Sequence, residues 1–318
     1  MSRRGLLLFG ALGIAWGIPY LLIKVAVQEV DPAVLVLGRS ALGAIVLLPL
    51  VIARRQLLPV LRRWRPLLAY TAVEIVLPWY FLSSAETRLP SSTAGLLLAA
   101  VPLVGIAVAF LTGRPERMSG ANRLGVLAGT VGVAALVGLD VAGSDLVGVA
   151  EMAIVGVGYA IGPVILVRHM SDLPGTGVVA LSLAITALVS VPLVPLLGSV
   201  PARLPSAATI GAIATLGVVC SAAAFLMMFA LVAEVGAVRT TTITYINPAV
   251  AVVAGAVVLH ERVTVWTVVG FALVLTGSVL VSRRRPRPDG PPEPAAAPLT
   301  AEDPSSGRDL DGARPSGP

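Results

Sequence analysis

The stretch FLSSAETRLPSSTAGLLLAAVP, residues 81 to 102, aligns without a gap on MMFALVAEVGAVRTTTITYINP, residues 227 to 248, so that Pro102 falls on Pro248. The likeness is weak letter by letter, but it stays in step on both sides. Downstream, Glu116-Arg117 matches Glu261-Arg262, Gly125 matches Gly270 and Gly132 matches Gly277. Upstream, Pro49 matches Pro192, Trp16 matches Tyr159 and Lys24 falls near Arg168, with the offset moving only between 143 and 146. A repeat of this length is a whole folding unit, so the chain reads as a duplication.

Apolar residues make up 56% of the chain and charged residues 13%, with a mean hydropathy of +0.91. Soluble domains carry roughly a quarter of their residues as charges, so this composition belongs to a lipid bilayer. The lone cysteine, Cys220, lies in an apolar segment, which leaves no disulfide framework, metal-ligand cluster or redox motif. No metal or cofactor is expected, and catalysis by a thiol or zinc is excluded. The start, MSRRGLLLFG, has the basic opening of a signal peptide, but the apolar run continues to Val27 without a small-residue cleavage site; it reads as a retained first helix.

About twenty apolar residues cross a hydrocarbon core of roughly 30 Å, and ten such segments are expected: 5–27, 33–53, 66–86, 91–112, 123–140, 145–167, 176–197, 206–233, 236–259 and 263–282. Arg and Lys favour cytoplasmic loops. With the N-terminus inside, the inner segments hold Arg3, Arg4, Arg54, Arg55, Arg62, Arg63, Arg65, Arg114, Arg117, Arg123, Arg168 and the run from Arg283 to Arg287, against Arg88, Arg203 and Arg262 outside. The outer loops are expected to carry Glu29, Asp31, Glu86, Asp140, Asp145 and Glu261. Both termini are then cytoplasmic, in the cell (inner or plasma) membrane. Five spans per repeat is odd, so the second repeat enters from the opposite side. The expected fold is all-α integral membrane, ten transmembrane helices as two inverted five-helix repeats, an architecture of transporters. The expected divisions are 1–140, 141–285 and a Pro-rich tail, 286–318, whose nine Pro, four Gly and lack of apolar period read as disordered and cytoplasmic.

The segment Ala230-Leu-Val-Ala-Glu-Val-Gly-Ala-Val-Arg239, the Asn247-Pro248 pair and Leu259-His-Glu-Arg-Val-Thr264 resemble the EamA-type repeat of the drug/metabolite transporter superfamily. The resemblance covers residues 5 to 282; the first half departs from it at Gly113-Arg-Pro-Glu-Arg117, where such repeats usually show Gly-Glu. It implies a carrier of amino acids, metabolites, sugars or toxic compounds, commonly outward, without naming the solute.

Glu74, near the middle of the third span, is the sharpest candidate, because an acid at that depth is costly and should face a cavity. At helical spacing Tyr70, Glu74, Pro78 and Phe81 share its face. Glu74 either binds a cation and couples protons, or is neutral and serves packing. Trp16, Tyr20 and Lys24 form a stripe on the first helix, with Lys24 expected to snorkel to the outer headgroups and Gly13 and Gly17 giving a small-xxx-small contact. Arg39 and Glu151 lie at similar depth and either pair with each other or meet substrate separately. In the ninth span Thr241, Tyr245 and Pro248 are expected on one face, and Thr240, Thr244 and Asn247 on the next. Trp79, Tyr80 and Tyr159 complete the substrate-binding candidates with Trp16, Tyr20, Arg39, Glu74, Tyr245 and Asn247. Pro102 and Pro248 are the candidate hinges. Glu116 and Glu261 are expected to anchor the starts of the fifth and tenth spans, which read as glycine-lined packing helices.

The function expected is secondary active transport by alternating access, exporting a small metabolite, amino acid or drug. The partners are that solute, the bilayer and, through Glu74, protons; no nucleic acid is implied. With no Walker motif in the chain, nucleotide hydrolysis is not the energy source. Two other classes stay open: a polytopic enzyme on a lipid-linked substrate, and a sensor or partner subunit whose RRRPRP segment binds protein or anionic lipid. Against the enzyme, His169 and His260 are expected on opposite sides of the membrane.

Overall fold

The computed structural model describes residues 2–111, 119–137, 146–197, 200–236 and 240–282. Glu116, the break at 140 to 145, Arg239 and the 286–318 tail lie outside these residues. All regular structure among the described residues is helical.

Helix α1 (Arg3–Gly17) starts where Ser2 Oγ accepts from the Gly5 amide at 2.9 Å. Pro19 opens α2 (Pro19–Ala26), where its missing N–H costs nothing. Helix α3 spans Pro32–Ala53, and α4 (Leu57–Leu61) leads to α5 (Trp64–Tyr70), a π-helical turn (Thr71–Val76) and α6 (Leu77–Arg88). Helices α7 (Ser91–Leu98) and α8 (Val101–Leu111) form a pair bent by 47°. Then come α9 (Gly120–Ala135), α10 (Leu146–Met170) and α11 (Gly175–Leu197). Helix α12 (Ala207–Gly217) runs through a second π turn (Val218–Ala223) into α13 (Ala224–Val235). Gly236, with φ of 83°, ends α13 in a conformation that suits glycine. A 3₁₀ segment (Thr241–Tyr245) precedes α14 (Ile246–Val258), and α15 spans Val265–Ser282.

Six continuous helical runs are long and apolar enough to cross a membrane: Arg3–Ala26, Pro32–Ala53, Trp64–Arg88, Leu146–Met170, Gly175–Leu197 and Ala207–Val235. The bent α7–α8 pair meets the same test, and Thr242–Val258 and Val265–Val281 are shorter apolar helices. The chain is a multi-pass membrane protein.

The main helix contacts respect the duplication. Helices α1 and α2 pack on α12 and α13, while α5 and α6 pack on α10; exchanging the two repeats turns one set into the other. Helix α3 packs on α11, α7 on α14 and α9 on α15, each joining a segment to its own repeat counterpart. Lipid supplies no hydrophobic drive between helices, so small residues that let backbones close up carry much of the attraction. In the α9–α15 pair, a Cβ on Gly125 would stand 2.9 Å from the Gly277 carbonyl oxygen, and one on Gly132 would stand 2.9 Å from that of Gly270. This register, in which one number rises as the other falls, makes the two helices antiparallel.

Both π turns are likewise equivalent, starting 147 residues apart. Each is tied by one side-chain hydrogen bond to the α3 or α11 helix: Thr71 Oγ1 donates to Ser182 Oγ at 2.8 Å, and Arg39 Nη2 donates to Ser221 Oγ at 3.3 Å. The loops repeat the pattern. Glu29 Oε2 accepts from the amide of Ser206, the N-cap of α12, at 2.6 Å. Asp172 takes both terminal nitrogens of Arg63, the N-cap of α5, at 2.6 and 2.7 Å. Glu29 and Asp172 stand 143 residues apart, as do Arg63 and Ser206.

Replacing Gly277 by Leu should lower stability by about 1–3 kcal/mol through overpacking, read as a fall in the thermal midpoint of the detergent-solubilised protein. Gly10→Leu, at a position with open space within 4 Å, should leave the midpoint unmoved. The loop contacts should respond to acid. The Ser206 amide holds the Glu29 carboxyl below the usual range, and the Arg63 side chain does the same for Asp172. Such contacts are intact above the ordinary carboxylate range and are lost as pH falls through the lowered values. Amide exchange at the first turns of α5 and α12 should rise on that acidification, and Glu29→Gln with Asp172→Asn should remove the step.

Candidate functional site

Glu74 sits in the first π turn, where Leu77 N donates five residues back to Ala72 O. Pro78 explains the widening: its ring would press on the carbonyl of residue 74 in a regular α-helix, and it has no N–H to offer. Tyr70, buried in a cluster with Val60 and Met170, is within electrostatic reach of Glu74 and Tyr159, and Phe81 and Tyr159 pack on one apolar cluster. The turn is met by two glycines of α10. A Cβ on Gly158 would stand 2.5 Å from the Val73 carbonyl oxygen and 2.7 Å from Pro78 Cγ, and one on Gly162 would overlap Glu74 Oε2. That oxygen is buried and has no hydrogen-bond partner.

Arg39, on α3, is buried, with its guanidinium carbon 3.6 Å from the centre of the Trp79 ring. Its Nε is buried and has no partner. A cation over an indole face is held without consuming its N–H groups, so Arg39 keeps donor capacity. Tyr159 lies against Trp79 and within electrostatic reach of both Glu74 and Arg39. Tyr20 is buried within reach of Tyr159 and Glu86. Thus Tyr20, Arg39, Glu74, Trp79 and Tyr159, from four segments, form one polar-aromatic cluster.

The other candidates have partners of their own. Trp16 meets Phe225 edge to face, with ring centres 5.8 Å apart. Gly13 and Gly17 pack on Ile246 and Val250 of α14, the small-residue contact expected of that stripe. Tyr80 stacks edge to face on Phe81 at 5.5 Å, and Tyr245 Oη reaches the Ser278 carbonyl at 3.5 Å. Asn247 Oδ1 is buried without a partner. The 3₁₀ turn resets the phase of this segment: Thr240 is buried and Thr244 exposed, so the shared face expected for them is not formed. Pro102 lies one residue into α8, just past the 47° bend, and Pro248 lies in the first turn of α14, past the 3₁₀ segment.

Of the alternatives for Arg39 and Glu151, pairing is not the one seen: Glu151 Oε1 accepts from Ser84 Oγ at 2.6 Å. Three expectations about charge are overturned. Lys24 does not snorkel: its Nζ donates to the carbonyls of Glu86 at 2.6 Å and Leu89 at 2.9 Å, closing the C-terminal end of α6. Glu261 does cap a helix, but not the one that follows it. Its carboxylate accepts from the amides of Ser91 at 2.7 Å and Ser92 at 3.0 Å, at the start of α7. Glu86, expected in an outer loop, is fully buried on α6. Sequence offered one pointer to this cluster: Leu89-Pro90 makes a break too short to take Glu86 far from the helix end.

The family description "EamA-like transporter family" matches residues 3–138 and 146–283. The protein described as "Uncharacterized transporter YvbV" of Bacillus subtilis (strain 168) is 25% identical over 285 residues, covering 89% of this chain and 93% of that protein. A solved crystal structure, 23% identical, superposes with a TM-score of 0.62 over 89% of this chain and 97% of the other, and shows the same fold.

Glu261→Ala should remove both caps on α7 and cost about 1–2 kcal/mol, seen as a lower unfolding midpoint in detergent. Glu261→Gln, which retains an accepting oxygen, should recover part of the loss.

Proposed function

Since the chain belongs to the EamA-like transporter family, we propose that it is a secondary transporter, moving a small amphipathic solute outward across the cell membrane by alternating access. The carrying observation is a pair of unspent polar atoms, Arg39 Nε and Glu74 Oε2, both buried and both without partners. Trp79 lies against Arg39, and Tyr159 is within electrostatic reach of both Arg39 and Glu74. An unpaired buried charge is expensive, and a site that keeps one does so for something it binds. Arg39 suits an anionic end, Glu74 a cationic end, and the aromatic rings an apolar body. The solute class that uses all three is a small zwitterion with an apolar side chain, such as an amino acid.

The inverted reading of the repeats is supported by equivalent helices that run antiparallel, α9 with α15, and by contacts that survive exchange of the halves. On this reading the rocking units are interleaved: α1, α2, α3, α12, α13 and α14 on one side, and α5, α6, α7, α8, α10 and α11 on the other. The bend before Pro102 and the 3₁₀ segment before Pro248 serve as the hinges. The arginine-rich loops support a cytoplasmic position for both termini, and on this reading Glu74 exchanges its proton with the cation it binds.

In proteoliposomes, Arg39→Met should weaken transport of zwitterionic amino acids on the order of 10- to 100-fold, the loss of a charged hydrogen bond worth about 1.5–3 kcal/mol. Glu74→Gln should abolish the response to an imposed pH gradient. Uptake by Glu74→Gln that follows the gradient as the parent does would end the coupling assignment, and unchanged transport by Arg39→Met would end the zwitterion reading.

A further inference from the structure

Glu86 has no exposed surface, and neither of its carboxylate oxygens has a hydrogen-bond partner. It lies in the last turn of α6, where the helix dipole opposes an anion. The charged and titratable groups facing it come from several elements: Lys24 and Tyr20 of α2, Arg39 of α3, and Glu261 beyond α14. From α10, Glu151 approaches the same helix but is bonded to Ser84. Lys24, the nearest cation by function, spends its ammonium on the main-chain oxygens of Glu86 and Leu89, not on the Glu86 carboxylate. An ionised carboxylate without a donor in such a place is costly, whereas the acid form is tolerable.

We propose that Glu86 is a second proton-binding site of the transport cycle, and that Lys24 converts its protonation into a movement at the end of α6. In the state described, Glu86 is the carboxylic acid and Lys24 clamps the helix end. When the O–H bond breaks and the proton passes to water at the mouth of the bundle, the new carboxylate draws the Lys24 ammonium away from the two carbonyls. One positive charge then faces one negative charge, and the last turn of α6 is left uncapped. Leu89 is the residue released. Its side chain fills the space beside Gly148 of α10, where an added Cβ would stand 2.9 Å from Leu89 Cγ. Ser91, two residues on, is where Glu261 holds α7. The clamp therefore sits where α2, α6, α7 and α10 meet, a junction between the two interleaved units. This inference rests on the transporter reading but not on Glu74.

The test uses the full chain in proteoliposomes, carrying Cys220→Ser. A membrane-impermeant maleimide should label Leu89→Cys severalfold faster at alkaline than at acid pH, after normalisation to Thr87→Cys, an exposed neighbour that corrects for thiol ionisation. Adding Glu86→Gln, which mimics the acid, should hold the ratio low at both pH values, and Lys24→Met should hold it high at both. Infrared difference spectra should show a protonated-acid carbonyl band in the parent that vanishes in Glu86→Gln and shifts in Glu86→Asp. Should Glu86→Gln fail to fold, the Glu86→Asp band shift decides. A labelling ratio that still rises with pH in Glu86→Gln, or a band untouched by either Glu86 variant, overturns the proposal. Glu74→Gln should leave both Glu86 signals in place, so failure of Glu74 coupling and failure of this site are read separately.

Discussion

Glu74 can stand inside the helix bundle because Gly158 and Gly162 of α10 have no side chains to oppose it. Their bare backbone admits the widened turn at Thr71–Val76, which Pro78 requires. Once that turn is seated, the rest of the cluster follows. Trp79, one residue beyond the proline, is buried and offers its face to Arg39 from α3, while Tyr159, next to Gly158 in sequence, comes against the same ring. A larger residue at either glycine would push α6 outward and separate the cation from its aromatic shelf.

Inside a bilayer every backbone polar group must be satisfied by the protein, and this chain meets the demand at its helix ends with side chains from elsewhere in the sequence. Lys24 closes the end of α6, Glu261 the start of α7 and Glu29 the start of α12, while Arg63, paired with Asp172, donates to the His169 carbonyl at the end of α10. The Glu29 and Asp172 carboxylates stand 143 residues apart, and each ties a loop to the helix packed beside it.

The duplication was legible from Pro102 and Pro248, because a long in-step repeat of apolar segments leaves few other choices of fold. The glycines at 125, 132, 270 and 277 also announced close packing, since a small residue at repeated spacing in an apolar helix has few other uses. The cluster around Glu74 was only partly legible. Depth singled out Glu74 and Arg39, but nothing in the 3.6-residue period announced the π turn that seats Glu74. Lys24, Glu86 and Glu261 were misread for a different reason. Each lies near a helix end, where hydropathy cannot distinguish a side chain that turns outward from one that turns in to satisfy leftover carbonyls or amides.

Comparison of the two halves separates scaffold from chemistry. Glycine seams, π turns, loop caps and helix partners are shared, and these are features that backbone packing demands of both copies. The charged and aromatic side chains are shared only in part. At the repeat offsets Trp16 faces Tyr159, Lys24 falls near Arg168 and Glu29 faces Asp172, but Glu74 faces Cys220, Arg39 faces Ser182 and Glu86 meets Val232. The duplicated backbone contacts set the scaffold, and the differences between the halves reside in a few side chains on helices whose packing the other half reproduces.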